Sequence, residues 1–339
     1  MYIVRRIRPW SVLALACAAL QAGAQGVAPK VLQGAEIAPK LLEMKEVREV
    51  PASDFVVDGV KRFDGWFLKA DRLIFKKGAT LVFSRQALAS RRVFFIVAKS
   101  IQVEDAAAPG RITWETQAVD GTGPASGQAA TGRAPGGAGL PGDGGHEGVP
   151  GDSAPSLHLA VLKMPGSGPV IDLQGQAGGP GAQGQRGGSG GPGAAGRHAS
   201  QNAFNCVRGA ENGRPGGAGG PGGRGGTAGR GGNGGTVTIL GTPDLLPGLG
   251  ARVRVLVSGG VAGQPGAGGP GGVGGPGGPG GSQQLPFCRG NGSTGPTGAP
   301  GPDGPTGPSD DGSRRGTDGD FFVGPITEAA FRGSIYGGD

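Results

Sequence analysis

The chain has 339 residues, of which 78 are glycine and 29 proline, with aromatics at only 5%. So little bulky apolar material over that length excludes an ordinary globular core throughout. The formal net charge of +7 includes Arg5, Arg6 and Arg8, and the mildly basic surface that remains excludes a nucleic-acid footprint.

Residues 1–24 read as a secretory signal peptide. Arg5, Arg6 and Arg8 precede an apolar stretch over 10–20, and Ala22-Gly23-Ala24 precedes Gln25. A lipoprotein signal using Cys17 is the alternative, for which Ala14-Leu15-Ala16 is a poor approach sequence. No later stretch reaches the roughly 18 apolar residues of a membrane span. The expectation is an exported protein, periplasmic, extracellular or on the cell surface. Residues 25–50 read as an exposed connector with helix-favouring residues.

From 51 to 120 the apolar pattern changes to period two. Residues 65–83 and 94–114 share one template, in which Ala70, Leu73, Phe75, Leu81 and Phe83 correspond to Ala98, Ile101, Val103, Ile112 and Trp114. Short strands repeating at this interval with glycine turns predict a parallel β-helix, a solenoid in which each coil covers the apolar face of the last. Residues 156–174, 236–258 and 318–326 continue the template as further coils or part-coils, and 320–339 read as a terminal strand and tail.

Between these strands, within 121–319, lie three glycine-rich insertions, each with an outward and a return run. Glycine recurs at every third position over 136–151, 175–196, 217–235, 263–281 and 292–307, and weakly over 121–127. Gly-X-Y with proline favours polyproline II geometry, which has no internal hydrogen bonds, so residues 175–196 would span about 68 Å. Outward and return runs in one chain must be antiparallel, which argues against a collagen trimer. Gly-Gly-X leaves two of three faces bare, so neighbouring runs can approach and exchange N–H···O=C and Cα–H···O bonds. The expected fold class is mainly β, a parallel β-helix whose three insertions form a six-run antiparallel polyproline II bundle.

After the signal segment two cysteines remain, Cys206 and Cys288. An even pair in an oxidising compartment predicts a disulfide; free or intermolecular thiols are the alternative. Both lie in turns joining outward to return runs, at 197–212 and 282–291. These turns hold residue types that the runs exclude, and His198, Asn202, Phe204, Arg208, Phe287, Arg289 and Asn291 are the candidate binding residues. Aromatic and arginine side chains on loops held by a rigid scaffold compose a recognition surface. The competing reading is that Phe204 and Phe287 only cap the disulfide.

Other chemistry is sparse. His146, His158 and His198 stand in different settings and predict no shared metal site. Asp303, Asp310, Asp311, Asp318 and Asp320 lack the nonapeptide calcium signature. Arg224 and Arg230, in Arg-Gly-Gly contexts without interleaved aromatics, read as solvated residues rather than RNA ligands. Asp71, Glu104, Asp105 and Glu115 do not align as a catalytic acid set for polysaccharide cleavage. No cofactor is expected, and the oligomeric state is left open.

The phased glycines resemble the polyproline II sandwiches of the snow flea antifreeze protein and of phage tail-fibre adhesin tips. The flanks resemble secreted bacterial collagen-like β-helix proteins. These resemblances imply a secreted, non-enzymatic structural or adhesive protein presenting tip loops to a cell-surface or extracellular glycan or protein. A polysaccharide-binding or polysaccharide-cleaving β-helix is the alternative. Ice binding is a third reading, disfavoured by the mixture of Arg, Gln, Pro and Asp at the third positions.

Overall fold

The computed structural model describes residues 26–32, 36, 52–119, 128–310 and 312–332. The expected signal peptide, most of the connector, the outward run over 121–127 and the tail after 332 lie outside the described residues.

In chain order the elements are β1 (Lys30–Val31), β2 (Ala52–Val57), β3 (Val60–Phe63), β4 (Phe67–Phe75), β5 (Thr80–Phe83), helix α1 (Arg85–Ser90), β6 (Val93–Val103), β7 (Arg111–Trp114), β8 (Ser156–Lys163) and β9 (Val170–Asp172). Then come β10 (Ser200–Gln201), β11 (Cys206–Arg208), β12 (Val237–Gly241), α2 (Leu249–Arg252), β13 (Val255–Leu256), β14 (Phe321–Pro325) and α3 (Glu328–Ala330).

Apart from the antiparallel pair β10 and β11, the strands are parallel, but the closed solenoid expected from the sequence is not formed. They lie in two separate sheets, one of seven strands in the order β1-β14-β12-β8-β6-β4-β2 and one of five in the order β13-β9-β7-β5-β3. Tight turns around Gly59 and Gly78, both at positive φ, pass the chain from the first sheet to the second. The way back is irregular: α1, capped by Ser84 Oγ on the Ala87 amide, joins β5 to β6, and glycine excursions join β7 to β8, β9 to β12 and β13 to β14. A period in the sequence identifies lateral neighbours; it does not say whether a coil closes.

Those lateral neighbours are as the template places them. Ala70, Leu73 and Phe75 pair with Ala98, Ile101 and Val103, and Leu81 and Phe83 pair with Ile112 and Trp114. Leu73, Phe75, Leu81, Phe83, Phe94 and Ile112 are buried in one cluster contributed by both sheets, and the Phe83 and Phe94 rings stack at 4.0 Å. Each such side chain contributes about 1.5–3 kcal/mol of burial. A second cluster, with Phe67, Phe95, Leu162, Leu240 and Phe331, covers the opposite face of the seven-stranded sheet.

The glycine runs continue the two sheets. The return run 136–154 enters β8, and its ladder onto the return run 213–235 proceeds without a break: Gly139 and Gly142 donate to Ala218 and Pro221 as Leu157 of β8 donates to Thr236. Likewise Leu173, just past β9, donates to Leu256 of β13, and the outward run 175–196 donates to 260–281 in the same step, Gly175 to Ser258 through Gly196 to Pro279. Return runs are thus parallel to one another, as are outward runs. Between the layers the order reverses: Gly217, Gly220 and Gly223 donate to Gly191, Gly188 and Gln185. The run 292–319 completes the return layer. The first outward run is described only at its end, where Ala129 and Gly132 donate to Arg186 and Ser189.

The number of glycines per triplet follows the number of neighbours. In the central run 213–235 a Cβ on Gly219 would stand 2.0 Å from the Gly272 carbonyl oxygen, and one on Gly220 2.1 Å from that of Leu140, distances that no side chain tolerates. Gly-Gly-X is therefore required there. The edge runs 136–154 and 292–319 manage with Gly-X-Y. Polar side chains satisfy leftover amides: Gln176 and Gln185 accept from Asp152 and Asp143, and Asn212 and Asn233 accept from Ser293 and Thr317.

Candidate functional site

Where outward runs turn back, the two loops at 197–212 and 282–291 are joined by the Cys206–Cys288 disulfide. The first folds as a hairpin of β10 and β11. Its turn is closed by Asn202, whose Oδ1 accepts from the Phe204 and Asn205 amides at 2.9 and 2.7 Å, as asparagine does in turns. The second loop is closed by mutual Gln284 and Cys288 backbone bonds and contains a cis Leu285–Pro286 bond.

Side chains tie the loops together. Gln201 Oε1 accepts from the Phe287 amide at 3.0 Å, and its Nε2 donates to the Leu285 carbonyl at 2.9 Å. His198 Nδ1 accepts from the Ser282 amide at 2.9 Å, with the Ser282 hydroxyl 2.8 Å away. Asn291 Oδ1 accepts from the Gln283 amide at 2.7 Å. Arg208 reaches the His198 carbonyl at 3.4 Å.

The residues expected from sequence therefore divide into two groups. His198, Asn202 and Asn291 hold the loops, together with the buried Cys288, and Arg208 adds a long bond while staying exposed. Phe204, Phe287 and Arg289 face solvent. Phe204 is 79% exposed and Phe287 44%, so Phe204 caps nothing. Sequence reasoning missed Gln201, which bridges both loops, and two apolar neighbours, Val207 and Leu285, 64% and 60% exposed. Their presence in turns where the three-residue glycine period is interrupted was the signal available. The loops also carry Arg197, Arg208 and Arg289 against the single acid Glu211, so the tip is apolar with a basic surround.

The other candidates are dispersed. Asp71, Glu104, Asp105 and Glu115 pair separately with Lys99, Lys76, Lys77 and Arg62. His158 is buried in β8 against the Phe95 ring, 5.3 Å between centroids, while His146 lies on a return run with its carbonyl accepting from Ala182. Asp303 and Asp318 accept from the Gly271 and Gly259 amides, Asp310 from Gly312 and Arg314, and Asp320 pairs with Lys30; Asp311 lies outside the described residues. Among the described residues no group of three or more His, Cys, Asp or Glu is placed to hold a metal ion, and no helix is long and apolar enough to cross a membrane. Arg224 and Arg230 are exposed, and their carbonyls accept from Gly145 and Gly151. Comparison with protein-family models, curated proteins and solved structures finds no match to this chain.

Proposed function

We propose that this is an exported, non-enzymatic recognition or adhesion protein whose glycine-run body presents the disulfide-linked double loop to a cell-surface or extracellular glycan or protein. The observation that carries this reading is the exposure of Phe204, Val207, Leu285 and Phe287 on one pair of loops locked by a disulfide and side-chain bonds. Large apolar side chains held out by rigid loops are costly to leave in water and mark binding surfaces. Export is supported by the leader-like residues 1–24 and by the disulfide, which needs an oxidising compartment to persist. The resemblance to polyproline II sandwiches supports the body as a spacer.

The test is binding to a glycan array and to whole cells by the protein and its Phe287→Ala/Arg289→Ala variant, with circular dichroism as the folding control. Neither side chain holds the loops, so the spectrum should be unchanged while binding is lost. Unaltered binding would overturn the assignment.

A further inference from the structure

The end of the molecule away from the tip carries a groove. Return runs enter β8, β12 and β14 at their N-terminal ends, so the tip lies beyond those ends. Over the C-terminal halves of β4, β6 and β8, this groove, of about 840 Å³, opens on the seven-stranded sheet. It is floored in part by Leu162 and Met164.

Strand register places Arg72, Ser100 and Lys163 in one row across β4, β6 and β8, neighbouring strands being about 4.8 Å apart. Three cations of the groove are neutralised in place: Arg72 by a two-bond fork onto Asp54 at 2.7 and 2.5 Å, Lys99 by Asp71 at 2.7 Å, and Arg332 by Glu328 at 2.7 Å. Lys163 and Arg252 differ. Both are exposed, and among the described residues neither has an acidic partner; Arg252 donates to the Met164 carbonyl at 3.2 Å. Beside them Ser100, Gln102 and Thr242 line the groove with hydroxyl and amide groups.

We propose that this groove binds an acidic saccharide, with the sugar carboxylate on Lys163 and Arg252 and its hydroxyls on Ser100, Gln102 and the Asp71–Lys99 pair. Cations already paired with carboxylates do not make a phosphate track, and the named lining offers no aromatic ring on which a base could stack. A close mixture of donors and acceptors matches the hydroxyls of a sugar ring, each of which both donates and accepts. Lys163 and Arg252 outnumber Asp244, the one acid of the groove lining without an ion pair among the described residues, and so favour a ligand bearing negative charge.

Calorimetric titration with tetragalacturonate tests this, with a neutral galactose tetramer and a short single-stranded DNA as comparisons. The acidic tetramer should bind and the neutral one at least tenfold more weakly. Lys163→Ala should weaken binding at least tenfold, Lys163→Arg should retain it, and rising salt should reduce it. No binding of tetragalacturonate, equal binding of the neutral sugar or the DNA, or undiminished binding by Lys163→Ala each overturns the proposal. Loss of binding in Phe287→Ala/Arg289→Ala with Lys163→Ala unaffected would place the saccharide on the tip and also overturn it.

Discussion

Arg314 Nη1 lies 2.7 Å from the Ala228 carbonyl and 2.5 Å from Glu147 Oε1, at the point where the run 292–319 steps out of the ladder. Before that point Gly225 donates to Pro305; after it Gly231 donates to Arg314, so an extra triplet sits in between. Ala228 is fully buried in a row where the flanking Gly225 and Gly231 admit no Cβ. Ala262 and Pro265 interrupt the row of the neighbouring run that elsewhere faces 292–319 through Gly259 and Gly268. Glycine is dispensed with where the neighbour has moved away.

That rule predicts opposite responses in one run. A Cβ at Gly222 would meet the Gly269 carbonyl oxygen at 1.9 Å, so Gly222→Ala should cost at least about 1–3 kcal/mol by overpacking. Ala228→Gly should cost less than about 1 kcal/mol. Thermal melts of the two variants are the measurement; a neutral Gly222→Ala would refute the close approach of the layers.

Amide exchange should report the same architecture. Gly220, Gly223 and Gly226 donate across layers and should be strongly protected, whereas Thr297 and Thr306, exposed on the edge run with amides that make no hydrogen bond among the described residues, should exchange fast. Uniformly fast exchange over 213–235 would be incompatible with a ladder.

The Cys206–Cys288 bond closes a loop of sequence separation 82, for which the chain-entropy model gives up to about 4.5 kcal/mol. Cys206→Ser/Cys288→Ser should lower the denaturation midpoint, and reductant should lower that of the parent protein but not of the variant. A reductant effect of equal size in both would locate its action elsewhere.

In the turn joining β6 to β7, the Ala107 amide, 2.9 Å from Asp105 Oδ1, holds that carboxyl below its ordinary value. The Ala108 amide and Lys77 add to this, against a desolvation that opposes it. A lowered folded-state value stabilises the fold above the ordinary value of 3.8, and the contribution disappears as pH falls through the lower one. Asp105→Asn should therefore melt below the parent at neutral pH, with the gap closing below about pH 4.

Much of the lateral organisation was legible because β pairing obeys a strict period: Ala70 against Ala98 and Phe83 against Trp114 could be aligned by eye. The disulfide was legible from two cysteines in matching turns. Closure was not, because α1 and the glycine excursions replace the returning limb and leave no period to read. Nor was β1, whose Lys30 and Val31 pair with Phe322 and Val323 across almost the whole chain; two residues carry no pattern. At the tip, composition pointed to Phe204 and Phe287, but only geometry separates them from His198 and Asn291, which hold the loops.

Because the outward layer prolongs one sheet and the return layer the other, a pull applied at the tip is directed along every run. The interstrand bonds lie across that direction, so they are loaded in shear and share the force simultaneously instead of parting one after another. Such a pull would pass into the paired sheets without stretching the glycine segments, so the stiffness of the body comes chiefly from backbone bonding.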